Sequence, residues 1–310
     1  MKVTWGLENA SFDPKTVTTL GSYDGMHRGH VEILARLIRT KQELGMNRSL
    51  VLTFDPHPQE VLRKNNSSVN LLTTIDERLA LFEKAGIDEA LVIRFSLDFS
   101  KMPYNDFFRN ILLAKLGTKA MVVGFNHAFG KNREGDVEHL KALAAESGIR
   151  VESVPPLIVD GVSISSTKIR HALLEGRLAI ANEYLGRPYE LTGVVEGGDK
   201  IGTALGYPTA NLSVPASKLI PSDGVYSGRA THDGRHYLAA ISIGNRPTIE
   251  ANGPRKVEAF LLDFAGNLYE NKLRLEFHSY LRPQATFDTL EELKTQIEED
   301  VKKVRVATTK

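Results

Sequence analysis

The chain has 310 residues, of which 42% are hydrophobic and 25% charged, so we expect one large or two medium globular domains. The formal net charge is +1, which argues against a general electrostatic attraction to nucleic acid or anionic lipid. The absence of cysteine excludes disulfides, thiolate zinc sites and cysteine nucleophiles. The sequence contains no apolar run long enough to span a bilayer and no signal-like N-terminus, so we expect a cytoplasmic protein that binds small molecules.

In the first 184 residues, β-prone runs alternate with helical patterns. Strands are predicted at residues 18–20, 49–54, 91–93, 120–123 and 150–154. Between them, Thr74 and Glu77 have the spacing of a capping box, and Gly86, Gly117 and Gly148 stand where helices commonly end. This order predicts a parallel sheet with helices on both faces, whose ligand crevice lies at the carboxyl ends of the strands.

After Gly186 and Pro188 the pattern changes to strands that follow one another without helices. Strands are predicted at residues 190–195, 224–230, 236–243, 256–263 and 272–280. Asp233-Gly234 and Gly266-Asn267 are typical hairpin turns, and a closing helix is predicted at about residues 289–303. We therefore expect a small antiparallel β-barrel or sandwich packed against one helix, with domains at residues 1–184 and 185–310.

The segment from Gly21 to His30 predicts a phosphate-binding loop. It follows a predicted strand and leads into a helical pattern, so backbone N–H groups and the positive end of a helix dipole would converge there. His27 and His30 stand three residues apart at the helix start, where both imidazoles can face the loop. Gly29 would let a ligand approach the backbone closely.

Three interpretations of these histidines compete. They could simply cap or pack the helix, or they could bind a metal together with His57, the only candidate third ligand nearby. They could also donate hydrogen bonds to the α-phosphate of a nucleotide as charge builds on it. Two histidines within one glycine-rich loop favour this third interpretation, a nucleotidyltransferase site in which we also place Gly21 and Asp24.

Two later loops support that interpretation. Ser165, Ser166 and Thr167 precede a helical pattern and could each act as an N-cap. Arg170, one turn further on, adds a rigid fork suited to the β- and γ-phosphates of a triphosphate. The loop at residues 123–135 contains Asn126 and basic residues that could hold ribose or phosphate, although by itself this is a weak signal.

These motifs resemble those of the FMN adenylyltransferase module of bacterial bifunctional riboflavin kinase/FAD synthetases. The family pattern Gly-x-Phe-Asp-Gly-x-His-x-Gly-His is met by residues 21–30, with Tyr23 in place of phenylalanine, and Phe-Asp-Pro-His-Pro occurs unchanged at residues 54–58. The family's Ser-Ser-Thr-x-Ile-Arg segment matches residues 165–170. Its Val-Gly-x-(Asp/Asn)-x-x-Phe-Gly loop matches residues 123–130, where His127 replaces the phenylalanine of many relatives.

The resemblance implies a role for each matched residue. His27 and His30 would contact the ATP phosphates, and Asn126 would line the nucleotide site. The triphosphate would be held by Ser166, Thr167 and Arg170. The implied fold is a Rossmann-like parallel-sheet nucleotidyltransferase domain, followed by a small antiparallel β-barrel domain with a C-terminal helix.

A second candidate site lies in the glycine-dense stretch at residues 193–212, which predicts a loop lying over a ligand and includes Gly202. It lacks the Gly-Lys-Ser/Thr of a Walker A motif, so a P-loop fold is not supported. Thr209 and Asn211, two apart on an extended chain, point the same way and offer hard oxygens to Mg²⁺. Glu258 interrupts an apolar strand, where it is either an ordinary solvent-facing acid or one aimed into the barrel mouth; sequence alone leaves both open.

This second half is similar to the riboflavin kinase module of the same family. The family's Pro-Thr-Ala-Asn motif matches residues 208–211, and its Val-Glu-x-x-Leu-Leu-Asp-Phe strand matches residues 257–264. The resemblance implies that Thr209 and Asn211 bind Mg²⁺ and ATP, and that Glu258 is the catalytic base. It extends over nearly the entire chain.

The resemblance implies a bifunctional enzyme that phosphorylates riboflavin to FMN and then adenylylates FMN to FAD, with ATP as co-substrate and Mg²⁺ as cofactor. A class I aminoacyl-tRNA synthetase, which uses a similar His-x-Gly-His loop, is disfavoured because the chain has no Lys-Met-Ser-Lys-Ser-like loop and no basic excess. The alternative from another class is a flavin- or nucleotide-binding sensor that has lost one or both activities. The matched site residues argue against such a loss.

Overall fold

The computed structural model describes residues 1–62, 69–125, 128–130, 135–197, 202, 205–245 and 255–307. The chain divides into two compact units, Met1–Ser166 and Thr167–Lys310. The domain boundary expected between residues 184 and 185 stays a prediction. None of the helices in the described ranges is both long and apolar enough to cross a membrane.

The first unit is built on a six-stranded parallel sheet. Its strands and short hairpin strands are, in chain order, β1 (Lys2–Trp5), β2 (Thr16–Leu20), β3 (Arg48–Asp55), β4 (Glu89–Arg94), β5 (Thr118–Gly124), β6 (Ala128–Phe129), β7 (Gly135–Asp136), β8 (Arg150–Val154), β9 (Ile158–Val159) and β10 (Val162–Ser163). The order within the sheet is β1-β4-β3-β2-β5-β8, while β6 pairs with β7 and β9 with β10. The chain leaves β2 in one direction through β3 and returns to its other side through β5, so the loop after β2 lies at the switch point where ligands bind in such sheets.

Helices cover both faces of this sheet, as the sequence predicts. They are α1 (Arg28–Glu43), α2 (Pro58–Leu62), α3 (Ile75–Lys84), α4 (Tyr104–Asp106), a π-helix over Phe107–Lys115, and α5 (Val137–Glu146), with 3₁₀ turns at Leu7–Asn9 and Phe99–Lys101. Because side chains alternate along β3, Leu50 and Leu52 pack against the π-helix and α5, while Val51 packs against α1 and α3. Each face therefore has its own buried apolar core.

The predicted helix ends are also confirmed. Thr74 caps α3: its Oγ1 accepts from the Glu77 N–H (3.2 Å), and a Glu77 carboxylate oxygen accepts from the Thr74 N–H (3.0 Å). Gly117, just past the π-helix, has φ 75°, and a Cβ there would lie 2.3 Å from the carbonyl oxygen of Asp13. Glycine at this position thus allows the chain to turn closely past a neighbouring segment.

The second unit is a closed antiparallel barrel with helices. Its elements are α6 (Ser166–Leu174), which starts at the last residue of the first unit, α7 (Leu178–Leu185), β11 (Tyr189–Glu196), β12 (Thr209–Ser213), β13 (Gly224–His232), β14 (Arg235–Gly244), β15 (Lys256–Leu261), β16 (Lys272–Arg282) and α8 (Leu290–Ala307). The strand order is β11-β12-β15-β14-β13-β16. The sequence predicted either an antiparallel barrel or a sandwich, and the closed strand order shows that it is a barrel.

Some element bounds in the second unit differ from the sequence prediction. The strand expected to run to residue 263 ends at Leu261, because Asp263 takes a left-handed conformation (φ 58°) that ends the pairing. The closing helix extends to Ala307 rather than residue 303. In α8, Leu293 and Ile297 face a cavity beside the barrel and Val304 is fully buried, so the predicted apolar face does pack.

Candidate active sites

The loop between β2 and α1 is tightly folded. Tyr23, Gly25 and Met26 have φ values of 50°, 83° and 41°, all in the left-handed region. Tyr23 is buried, and its hydroxyl lies 2.5 Å from Thr19 Oγ1 on β2. Burial raises the pKa of this hydroxyl well above its ordinary value, against the opposing hydrogen bond from Thr19, so Tyr23 is a neutral anchor for the loop.

Asp24 ties this loop to the chain just before α3. Its carboxylate accepts from the backbone N–H groups of Leu72 (2.9 and 3.1 Å) and Thr73 (2.9 Å) and from Thr73 Oγ1 (3.2 Å). The side chain is 1% exposed. The structure thus shows Asp24 holding the loop from within; its expected part in nucleotide binding stays a prediction.

The two histidines lie together at the start of α1. Their rings stack with centroids 3.7 Å apart and an interplanar angle of 19°. His27 is the N-cap residue, and its Nδ1 accepts from the His30 N–H at 3.4 Å. His27 is buried and His30 half-buried, so only part of the pair reaches solvent. His27 therefore does cap helix α1. The same arrangement holds its imidazole ring at the N-terminus of the helix.

Some of the other residues expected at this site lie beside the histidine loop in the structure. Gly29 lies beside the histidine pair, because a Cβ there would come within 3.2 Å of the His27 ring, and Gly21 donates its N–H to Leu52 O (3.1 Å). Ser166, the last residue of the first unit, donates through its Oγ to the carbonyl oxygen of Asp24 (2.8 Å). Thr167 and Arg170 belong to the second unit, and Asn126 lies outside the described residues.

The metal interpretation receives no support from the geometry. His57 is buried, and its Nδ1 accepts from the Gln59 N–H (3.2 Å) at the start of α2. Within the described ranges, no group of three or more histidine, aspartate or glutamate side chains is arranged to hold a metal ion.

The kinase candidates meet on neighbouring barrel strands. Glu258 on β15 pairs with Asn211 of β12 and with Ser242 of β14. Its carboxylate accepts from Thr209 Oγ1 at 3.5 Å. Val257, Ala259 and Leu261 are buried in the barrel core, so the alternation of β15 turns Glu258 to the outer face. Glu258 is half-buried there and lines a cavity.

This cavity has a volume of about 370 Å³ and lies between the outer face of the barrel and α8. Thr209, Glu258 and Gly202 line its polar end. The rest of its lining combines apolar side chains, among them Phe260, Phe287, Leu293 and Ile297, with the charged Lys256, Arg282, Asp288 and Asp300. The segment after β16 closes it, since Gln284 Nε2 donates to Ser242 Oγ and to Ile243 O, both at 2.9 Å. The cavity suits a ligand with a flat apolar body and a polar tail.

Comparison with known proteins identifies both halves. An FAD synthetase family model matches residues 9–168, and a riboflavin kinase family model matches residues 185–308. The bifunctional riboflavin kinase/FMN adenylyltransferase of Pseudomonas fluorescens is 35% identical over 98% of this chain and 97% of its own. The chain belongs to this family.

Other relatives agree with this assignment. The proteins of the same name from Listeria monocytogenes and Escherichia coli K12 are each 35% identical, over 94% and 97% of this chain and 92% and 96% of their own. A crystal structure from Streptococcus pneumoniae, described as a macrolide-efflux protein, has a TM-score of 0.89 at 26% identity and covers 98% of this chain and 99% of that one. The adenylyltransferase loop and the kinase cavity of this chain therefore each lie within a matched family domain.

In the riboflavin kinase domain, the residues fit a magnesium site. Asn211 Oδ1 is buried and has no hydrogen-bond partner among the described residues. It belongs to the same patch as the Thr209 hydroxyl and the Glu258 carboxylate. A buried hard oxygen left without a donor is costly unless a cation or ligand satisfies it, and Mg²⁺ needs few protein ligands when phosphates and water complete its shell.

In the FAD synthetase domain, sequence reasoning missed a buried arginine and an aromatic cluster. Arg78 of α3 is 1% exposed and contacts the end of β3; it shares the buried face of α3 with Phe82, so the four-residue spacing could have revealed it. Phe54, Phe95 and Phe99 lie at the carboxyl ends of β3 and β4, with centroids 5.4 to 6.1 Å apart. These half-buried rings pack edge to face or tilted, with interplanar angles of 57° to 79°, and form a small apolar cluster.

Proposed function

We propose that the chain makes FAD from riboflavin in two ATP-dependent steps, one in each family domain. The barrel domain transfers the γ-phosphoryl group of ATP to riboflavin, which gives FMN and ADP. The α/β domain transfers AMP from a second ATP to FMN, which gives FAD and pyrophosphate. The observation that carries this proposal is the match of an FAD synthetase model and a riboflavin kinase model to separate parts of one chain.

In the kinase step, Glu258 orients the terminal hydroxyl of riboflavin and accepts its proton as the oxygen bonds to the γ-phosphorus and ADP leaves. Its position at the polar end of the cavity supports this role. Thr209 and Asn211 would hold Mg²⁺ through their side-chain oxygens. When bound, that ion would offset the negative charge of the ATP phosphates.

In the adenylyl transfer, a phosphate oxygen of FMN bonds to the α-phosphorus of ATP as pyrophosphate leaves. The reaction needs no general base, because the FMN phosphate is already an anionic nucleophile. Hydrogen-bond donors held in position supply most of the rate acceleration. His27 and His30 would donate to the α-phosphate, beside which Gly29 leaves the backbone accessible. We place Thr167 and Arg170 on the triphosphate from their sequence motif, together with Ser166 and Asn126.

We further propose that the domains comprise residues 1–184 and 185–310, and that the protein works in the cytoplasm on riboflavin, FMN and ATP without nucleic-acid or membrane partners. The even charge balance supports the absence of nucleic-acid binding.

A product assay tests the two-step function. Purified protein is incubated with riboflavin, ATP and Mg²⁺, and the flavins are separated by chromatography. We expect FMN to appear first and FAD to follow, with pyrophosphate released in step with FAD and no FMN formed once Mg²⁺ is chelated. Flavin that binds but stays unchanged would support the sensor alternative and contradict the proposal.

A further inference from the structure

Arg78 is a buried charge that the two-step mechanism leaves unused. It is among the largest fully buried side chains of the described residues, yet it lies within the FAD synthetase domain close to the nucleotide loop. Its Nη1 donates to Thr53 Oγ1 (3.0 Å) and to the carbonyl oxygen of Phe54 (3.2 Å), both at the carboxyl end of β3. At 1% exposure it cannot touch the substrates, so any role in the reaction must act through other residues.

Thr53 connects Arg78 to the loop that bears the histidines. Its hydroxyl accepts from Arg78 and donates to the carbonyl oxygen of Ser22 at 3.4 Å. Ser22 directly precedes the residues with left-handed backbone, and the loop ends at His27. Arg78 therefore reaches the first part of the loop through one side-chain hydroxyl.

The segment just before the same helix holds the middle of the loop. Asp24 accepts from the N–H groups of Leu72 and Thr73, directly before the Thr74 cap of α3, and Arg78 lies one turn into that helix. Burial lowers the pKa of the Arg78 guanidinium, whereas the charges of Asp24, Asp55 and Glu60 act in the opposite direction. Because arginine remains protonated in folded proteins, the Arg78 guanidinium offsets the charges of these carboxylates.

A loop of this kind depends on its surroundings. Non-glycine residues in the left-handed region, such as Tyr23 and Met26, cost energy and persist only where neighbouring contacts determine them. Catalysis by placed donors is equally sensitive, since a displacement of about 1 Å can cost roughly a hundredfold in rate. A residue that fixes this loop would therefore affect turnover without touching the nucleotide.

We propose that Arg78 is a positioning residue for adenylyl transfer, which fixes the end of β3 and, through Thr53, the loop that presents His27 and His30. This inference rests on the proposed adenylyltransferase function of that loop. It predicts that weakening the connection lowers kcat for FAD formation in a folded protein and spares riboflavin phosphorylation by the other domain.

The first test removes the connecting hydroxyl. Thr53→Val keeps the shape of the side chain, and its matched control is Thr18→Val on β2, where Oγ1 is buried without a hydrogen-bond partner in the described part of the chain. We expect Thr53→Val to lower kcat for FAD formation at saturating FMN and ATP by about five- to tenfold, with FMN formation unchanged. Thr18→Val should stay within about twofold of wild type.

The second test replaces the arginine. Arg78→Met is compared with Arg48→Met. Arg48 is also a buried arginine, but it lies at the opposite end of β3 from the Arg78 contacts and is ion-paired to Glu89 (3.1 Å). At a temperature where circular dichroism shows both variants folded, we expect Arg78→Met to lower kcat for FAD formation by about a hundredfold and Arg48→Met by less than about twofold. Arg78→Lys, which keeps the charge, should recover part of the loss.

The outcomes separate the possible failures. If Thr53→Val matches Thr18→Val, or if Arg78→Met loses activity only in proportion to its unfolded fraction, Arg78 is merely structural and the inference is overturned. Should Arg78→Met fail to fold, the threonine pair decides. Wild-type protein that forms no FAD from FMN would instead contradict the proposed function itself.

Discussion

In the proposed mechanism, Glu258 is the residue on which the kinase step depends most directly. We expect Glu258→Gln to lower riboflavin phosphorylation by about a hundredfold or more, because the amide cannot accept the hydroxyl proton. The exchange is nearly isosteric, so folding and FAD formation from FMN should be unchanged. Rates of both reactions, measured separately with riboflavin and with FMN, check this.

The exposed Glu196→Gln on β11 is the matched control for Glu258→Gln and should have wild-type rates. Equal loss of both activities in Glu258→Gln would contradict separate sites, and undiminished phosphorylation would remove Glu258 from the mechanism.

His30 carries the corresponding prediction for the other domain. Its ring is stacked on His27 at the N-terminus of α1, where a donor can meet the α-phosphate. We expect His30→Ala to abolish FAD formation from FMN and to leave FMN formation from riboflavin intact. His139→Ala on α5, which removes an imidazole that is 57% exposed, should change neither rate. FAD synthesis retained by His30→Ala would refute the assignment.

Individual residues show which contacts of the site could not be predicted from the sequence. The Gly-x-x-Asp-Gly-x-His-x-Gly-His pattern located the loop correctly and predicted that both imidazoles could lie together. It could not show that the Asp24 carboxylate accepts from the N–H groups of Leu72 and Thr73, because those partners lie 48 and 49 residues further along the chain. For the same reason the contact between Arg78 and Thr53 was invisible in the sequence.

At the scale of elements, we make a prediction about Gly202, which lies in the segment that leads into β12. A Cβ on Gly202 would lie 2.3 Å from the carbonyl oxygen of Tyr207, whose N–H donates to Gly202 O at 2.7 Å. Gly202→Ala must therefore displace this segment at the polar end of the kinase cavity. We expect riboflavin phosphorylation to fall by about tenfold or more while FAD formation from FMN is unaffected.

Gly197→Ala is the matched control for Gly202→Ala. Gly197 lies in the same glycine-dense stretch, but a Cβ there would meet no atom within 4 Å. Its phosphorylation rate should stay within about twofold of wild type. Similar losses in the two variants would mean that flexibility, rather than the close approach at Gly202, explains the result.

Elements were predictable wherever one periodic pattern dominated. Most central strands of the parallel sheet contain apolar runs, as in β3, β4 and β5, and α3 is marked by both a capping box and a C′ glycine. The positions of these strands were therefore found to within one or two residues. The edge strand β1 was missed, because it has only four residues and its apolar Val3 and Trp5 are exposed while Thr4 is buried. Burial alternates along β15, but only the barrel and α8 together show that the outer face, with Glu258, is covered.

For the molecule as a whole, the two activities belong to two family domains, and we expect a mutation to change the stability of one without the other. The parallel sheet holds a buried network at the amino ends of its strands, where Glu89 pairs with Arg48 (3.1 Å) and accepts from Thr4 Oγ1 (2.8 Å). Burial alone would raise the pKa of Glu89, but hydrogen bonds from Thr4, Lys2 and Arg48 lower it below its ordinary value. The barrel contains no part of this network.

We expect Glu89→Gln to lower the midpoint for thermal inactivation of FAD formation by roughly 5–10 °C at pH 7, because it leaves Arg48 buried without its counter-charge. A carboxyl whose folded pKa is depressed contributes stability above its unfolded pKa of about 4.3 and loses it as the pH falls through the lower folded value. The difference between variant and wild type should therefore shrink below about pH 4.3. Riboflavin phosphorylation in the same samples should keep its midpoint, as should both activities of Asp98→Asn, which removes an exposed ion pair. A shift of both activities together would show that the two domains unfold as one.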